Sequence, residues 1–153
     1  MCGRTSKCSE QKEDSPIGDR AQIKINSFYE DSTAAPVYLY THGGASCLEA
    51  TLVEALKRKE RWEDASYLAR IIFETMIEGA YSKELGYGID TIQHSDIWKL
   101  IELSANEKIS IFICRGTNAD DYTEVWTGTF EEFLNYFYGC GELYWEDVSE
   151  EED

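Results

Sequence analysis

Ile23 and Ile25 alternate with Gln22 and Lys24 and run on to Phe28, and this two-residue period predicts a β-strand over residues 21–29. A turn follows from Asp31 to Pro36. Val37, Leu39 and Thr41 then alternate with Tyr38 and Tyr40, a second strand with its proline ahead of it and the Gly43-Gly44 pair at its end. Beyond the glycines the period lengthens. Leu48, Leu52, Ala55 and Leu56 fall at helical spacing, with Ser46 and Glu49 placed as a capping box. This first helix closes in a basic knot, Lys57, Arg58, Lys59 and Arg61, which suits the negative end of a helix dipole. Leu68, Ile71, Ile72 and Met76 form the stripe of a second helix, with Asp64 to cap it and Gly79 to stop it.

From Tyr87 the period returns to two. Residues 87–93, 97–103 and 108–114 read as three strands, the last with Ile109, Ile111 and Ile113 on one face and Ser110, Phe112 and Cys114 on the other. The short links at Ser95-Asp96 and Ser104–Glu107 predict an antiparallel meander. Thr129 and Glu132 make a second capping box, and Phe130, Phe133, Leu134 and Phe137 give the apolar face of a third helix that ends at Gly139. The fold class expected is α+β: an antiparallel β-sheet of about five strands, with two central helices and one C-terminal helix packed on it. Residues 1–20 are expected to be a flexible N-terminal arm, 21–148 a single domain and 149–153 an acidic disordered tail.

Composition narrows this picture. The 153 residues suffice for one cored domain. No apolar run reaches the roughly 18 residues that span a bilayer, and the polar start of the chain lacks the apolar segment of a signal peptide, so a cytoplasmic protein, with no membrane contact, is expected. The five cysteines (Cys2, Cys8, Cys47, Cys114, Cys140) are odd in number and scattered. That spacing argues against a disulfide framework and against a zinc site, and reduced thiols with no metal and no cofactor are the expectation.

Charge is segregated. All 14 Lys and Arg lie at or before Arg115, while the 38 residues after it carry twelve carboxylates, so most of the net charge of −16 sits in that last quarter. The same stretch holds nine of the twenty aromatics, which is not the composition of a merely solvating tail. Such a chain repels phosphates and disfavours direct binding to nucleic acid. It suits a basic protein or ribonucleoprotein surface, with Asp120, Asp121, Tyr122, Glu124, Trp126, Glu131, Glu132, Glu142, Tyr144, Trp145, Glu146 and Asp147 as the expected partner-binding residues. Oligomeric state is not legible in the sequence.

Two other chemistries compete. His42, Gly43 and Gly44, with Arg58, Arg61, Trp62 and Arg70, could form a small-ligand site in which a glycine turn and a basic knot take a signalling nucleotide. His42 and Cys47, at a strand end and a helix start, could form a nucleophilic pair of a hydrolase or transferase. Against both, Gly43-Gly44 matches no phosphate-loop fingerprint, no third orienting group stands near the pair, and His42 and His94 read as structural. An enzyme is therefore not expected.

The run Val37-Tyr38-Leu39-Tyr40-Thr41-His42-Gly43-Gly44, with Ala55-Leu56-Lys57-Arg58, Arg61-Trp62, Tyr67–Phe73 and Tyr87-Gly88-Ile89, resembles a family of small uncharacterised bacteriophage and prophage proteins over roughly residues 36–90. The Trp that follows the His in that family is missing after His42. The resemblance carries no established activity; it implies a phage-like context, in which acidic proteins often antagonise host defence. The function expected is a non-enzymatic, anti-CRISPR-like inhibitor whose acidic C-terminal face occupies a basic nucleic-acid groove.

Overall fold

The computed structural model describes residues 19–27, 35–78, 86–114, 121–141 and 145. The chain order is β1 (Arg20–Ile25), β2 (Val37–His42), α1 (Leu48–Leu56), α2 (Ala65–Ile77), β3 (Tyr87–Asp90), β4 (Lys99–Ser104), β5 (Lys108–Cys114), β6 (Tyr122–Thr129) and α3 (Phe130–Phe137). The strands form one sheet in the order β3-β2-β1-β4-β5-β6. β1 and β4 run parallel at its centre, and the other neighbours are antiparallel. The fold is α+β, with a mixed sheet in place of the all-antiparallel one expected.

Register explains the core. Leu39 pairs with Ile23, Ile23 with Ile101 and Ile101 with Ile111, so four aliphatic side chains line up across one face of the sheet. None is more than 1% exposed. Leu52, Val53 and Leu56 of α1, Leu68, Ile71 and Ile72 of α2, and the three phenylalanines of α3 join the same cluster. Each such side chain stabilises the fold by roughly 1.5–3 kcal/mol through burial. The α3 capping box forms in full: Glu132 N–H donates to Thr129 Oγ1 at 3.1 Å and Thr129 N–H to Glu132 Oε1 at 2.9 Å. Gly139, at φ +86°, turns the chain out of the helix as expected.

Four expectations need correction. Asp19 and Arg20, grouped with the arm, belong to the domain, since Arg20 opens β1 and Asp19 is buried. The meander from residue 87 breaks after β3, which pairs with β2 at the far edge of the sheet. Residues 91–98 are therefore not a hairpin turn. They cross the second face, where Gln22 Nε2 donates to the Ile92 carbonyl at 3.1 Å and His94 N–H to Gln22 Oε1 at 2.9 Å, satisfying a glutamine with no exposed surface. The stretch ahead of α3, to which the periodicity assigned no element, is the edge strand β6. Finally, Cys47 and Cys140 are each disulfide-bonded, whereas Cys114 is half-buried and not in a disulfide, so the expectation of five reduced thiols fails.

The turn at Asp31–Pro36, Phe28, Gly79 and the terminal segments 1–18 and 149–153 lie outside the described residues, save Ala35 and Pro36. Among the described residues no helix is long and apolar enough to cross a membrane.

Candidate functional site

Within the acidic run after Arg115, Tyr122–Thr129 folds as the last strand of the sheet and Phe130–Phe137 as the helix that follows it directly. Asp121 and Glu124 are exposed on or beside β6. Glu131 is exposed but meets Lys59 Nζ at 2.9 Å, so part of the basic knot pairs back onto the acidic segment. Glu132 is held in its capping box. Asp120, Glu142, Tyr144, Glu146 and Asp147 lie outside the described residues.

The aromatic members are more structural than the sequence implied. Trp126 packs edge-on against Phe133 and Phe137, with ring centroids 5.7 and 5.4 Å away. Its ring lies over Gly128, where a Cβ would come within 2.7 Å of it. Trp145 donates from Nε1 to Glu49 Oε2 at 3.1 Å and reaches Phe137 at 6.2 Å. The exposed aromatic residues of α3 and its exit are instead Tyr136 and Tyr138, 37% and 68% exposed.

Tyr122 donates its hydroxyl to the Ile97 carbonyl at 3.0 Å, and burial, reinforced by the nearby Cys114, pushes its phenol up to about 12 from the ordinary 10. The neutral phenol is thus favoured in the folded state, and its contribution to stability is complete below pH 10 and declines as pH rises from 10 towards about 12. A tyrosine ring-carbon NMR titration is expected to show one signal with a midpoint near 12 that disappears in Tyr122→Phe. A midpoint at the ordinary value would contradict this environment.

The alternative ligand residues do not form one site. Arg58, Arg61, Trp62 and Arg70 gather around the α1–α2 turn, whereas His42, Gly43 and Gly44 lie beyond the opposite end of α1. The cations are also engaged: Arg58 with Glu60 and Glu74, Arg70 with Glu74, and Arg61 over the Tyr67 ring at 4.2 Å. Trp62 donates to the Leu56 carbonyl at 3.1 Å and packs edge-on against Phe130, so its ring serves the core. His42 is exposed, and because Cys47 is disulfide-bonded no thiolate stands available to it. His94 is structural, with Nε2 2.6 Å from Asp90 Oδ2, and that hydrogen bond holds the Asp90 carboxyl below its usual range. Among the described residues no three His, Cys, Asp or Glu side chains gather as a metal site.

Sequence reasoning missed the most unusual polar cluster. Lys99 Nζ, fully buried at the start of β4, donates at 2.7 Å to both Glu49 Oε1 and the Ala45 carbonyl. It also stands 4.9 Å from the Trp98 ring centroid. Glu49 therefore does not cap α1, which has no side-chain cap. Ser46 likewise points its hydroxyl at Asp19, 3.5 Å away. The signal was present, because Lys99 continues the inward alternation of Ile101 and Leu103, and Glu49 shares a helix face with Leu52 and Leu56.

With this geometry established, the chain is a member of the broad class of α+β domains built on a mixed six-stranded sheet. Comparison with protein-family models, curated proteins and solved structures finds no match.

Proposed function

We propose that the chain is a non-enzymatic binding protein that inhibits a host nucleic-acid-handling defence complex, of the CRISPR kind, by laying its acidic β6–α3 edge in a Lys- and Arg-rich groove. One observation carries the reading: Glu124 on the outermost strand and Asp121 at its start are exposed, within a run that holds no basic side chain. A one-signed field on an ordered edge accelerates encounter with a basic surface and opposes phosphate. Tyr136 and Tyr138, exposed on the following helix and its exit, supply aromatic contact area beside that charge. The phage-like resemblance over residues 36–90 supports the choice of host defence as the target.

Since Glu131 is paired with Lys59 and Glu132 caps α3, the carboxylates left to meet a partner among the described residues of this segment are Asp121 and Glu124, which Asp120 adjoins in the sequence. The variant Asp120→Asn/Asp121→Asn/Glu124→Gln is expected to lower inhibition of a purified CRISPR effector by about tenfold or more. Wild-type inhibition should weaken as salt rises from about 0.05 to about 0.5 M. Equal inhibition by the two proteins would refute the reading. A cytosolic target is met under reducing conditions, so the assay is run with and without reductant to cover both states of Cys47 and Cys140.

A further inference from the structure

Gly44 follows the end of β2 and has ordinary backbone angles, φ −127° and ψ 16°, so its lack of a side chain is not explained by conformation. Space explains it. A Cβ built there would stand 3.0 Å from Thr41 Oγ1 and 3.9 Å from Tyr87 Oη, projecting between the two hydroxyls. That gap belongs to a cleft of about 230 Å³ between the end of β2, the start of α1, the end of α2 and β3. Leu48 of α1 and Met76 of α2 give it apolar walls. It is large enough to hold several water molecules.

Thr41 supplies a second, independent sign of a ligand. The residue is 1% exposed, and its hydroxyl is buried with no hydrogen-bond partner. A buried hydroxyl able to donate and accept ordinarily finds a partner, and one left unpaired on the floor of a cleft is a group awaiting one. Among the described residues the lining contains no Lys, Arg, Asp or Glu to neutralise an ionised ligand, and the net charge of −16 opposes an anion. The glycine turn is not poised for phosphate either, since Gly43 N–H already donates to the Asp19 carbonyl at 2.7 Å.

We infer that this cleft is a binding site for a small uncharged molecule with one hydroxyl-like head and an apolar body. The head enters the gap left by Gly44 and bonds the Thr41 hydroxyl, with Tyr87 Oη beside it; the body lies on Leu48 and Met76. The site is independent of the acidic β6–α3 edge, and its test reads different residues.

Cyclohexanol is the probe, followed by methyl NMR of Met76 and the leucines in the full chain. The wild-type protein is expected to show a saturable shift of the Met76 methyl. Binding should weaken at least about tenfold in Thr41→Val, which keeps the shape and removes the hydroxyl, and in Gly44→Ala, which fills the gap. Tyr87→Phe, read alongside, should weaken binding less. Inorganic phosphate should leave the same methyls unmoved. The inference is overturned by any of three results: no saturable shift in the wild type, undiminished binding by folded Thr41→Val and Gly44→Ala, or a saturable phosphate shift at the same methyls.

Discussion

Replacing Lys99 with methionine is expected to destabilise the protein by about 3–5 kcal/mol, measured by urea unfolding, because it strands a buried carboxylate. Methionine keeps much of the apolar stem but removes the ammonium that donates to Glu49 and to the Ala45 carbonyl, each at 2.7 Å. Both side chains are without exposed surface, so water cannot take over. Trp145 would remain the donor to Glu49, at 3.1 Å. One indole N–H does not replace a cation. The double variant Lys99→Met/Glu49→Leu should recover a large part of the loss, since an apolar pair of similar volume avoids the uncompensated charge. It should not recover all of it, because the Ala45 carbonyl still loses a donor. A loss below about 1 kcal/mol in the single variant, or no recovery in the double, would mean that the ion pair does not hold β4 to α1.

The same pair marks where the sequence stops being legible. The α3 face and the Thr129–Glu132 box could be read because both are local, a helical period and two hydrogen bonds three residues apart. The alternation of β5 could be read for the same reason. Lys99 and Glu49 stand fifty residues apart, and the helix cap that Ser46 and Glu49 spell locally gives way to a charge partner that only tertiary packing delivers. The position of β3 was hidden likewise, because eight residues before β4 look like a hairpin link until β1 pairs in parallel with β4 and excludes that neighbour. β6 escaped because its period is broken, with a register shift opposite Ile111 and Phe112 that leaves Val125 and Trp126 consecutive. For the candidate site, Asp121 and Glu124 are exposed as the charge pattern implied. Trp126 and Trp145 pack against the core instead, and aromatic content alone cannot separate an anchor in the core from one on the surface. Nor can cysteine counting: an odd, scattered set shows no pairing, yet Cys47 and Cys140 each stand in a disulfide.

Phe137→Ala is expected to cost about 3–5 kcal/mol. It should loosen the acidic edge before the rest of the sheet. The ring is fully buried and sits at the centre of the aromatic cluster, 4.6 Å from Phe133, 4.8 Å from Tyr136, 5.4 Å from Trp126 and 6.2 Å from Trp145, centroid to centroid. Those contacts tie α3 to β6 through Trp126, and to the chain beyond α3 through Trp145. Truncation leaves a cavity bordered by rigid rings, which relax poorly, and also removes the edge-to-face terms of about 0.5–1.5 kcal/mol per pair. Because β6 has a strand on one side only, α3 is the main support of its inner side chains. Amide exchange should therefore accelerate most in residues 121–137, while the paired centre of β1 and β4 keeps most of its protection. Tyr138→Ala, at a site 68% exposed, is the control and should change stability by less than about 0.5 kcal/mol. A uniform loss of protection across the sheet would mean that β6 and α3 unfold only with the whole domain. In that case the acidic edge is as rigid as the core, and a partner meets a preformed surface whose affinity Phe137→Ala can alter only by unfolding the protein.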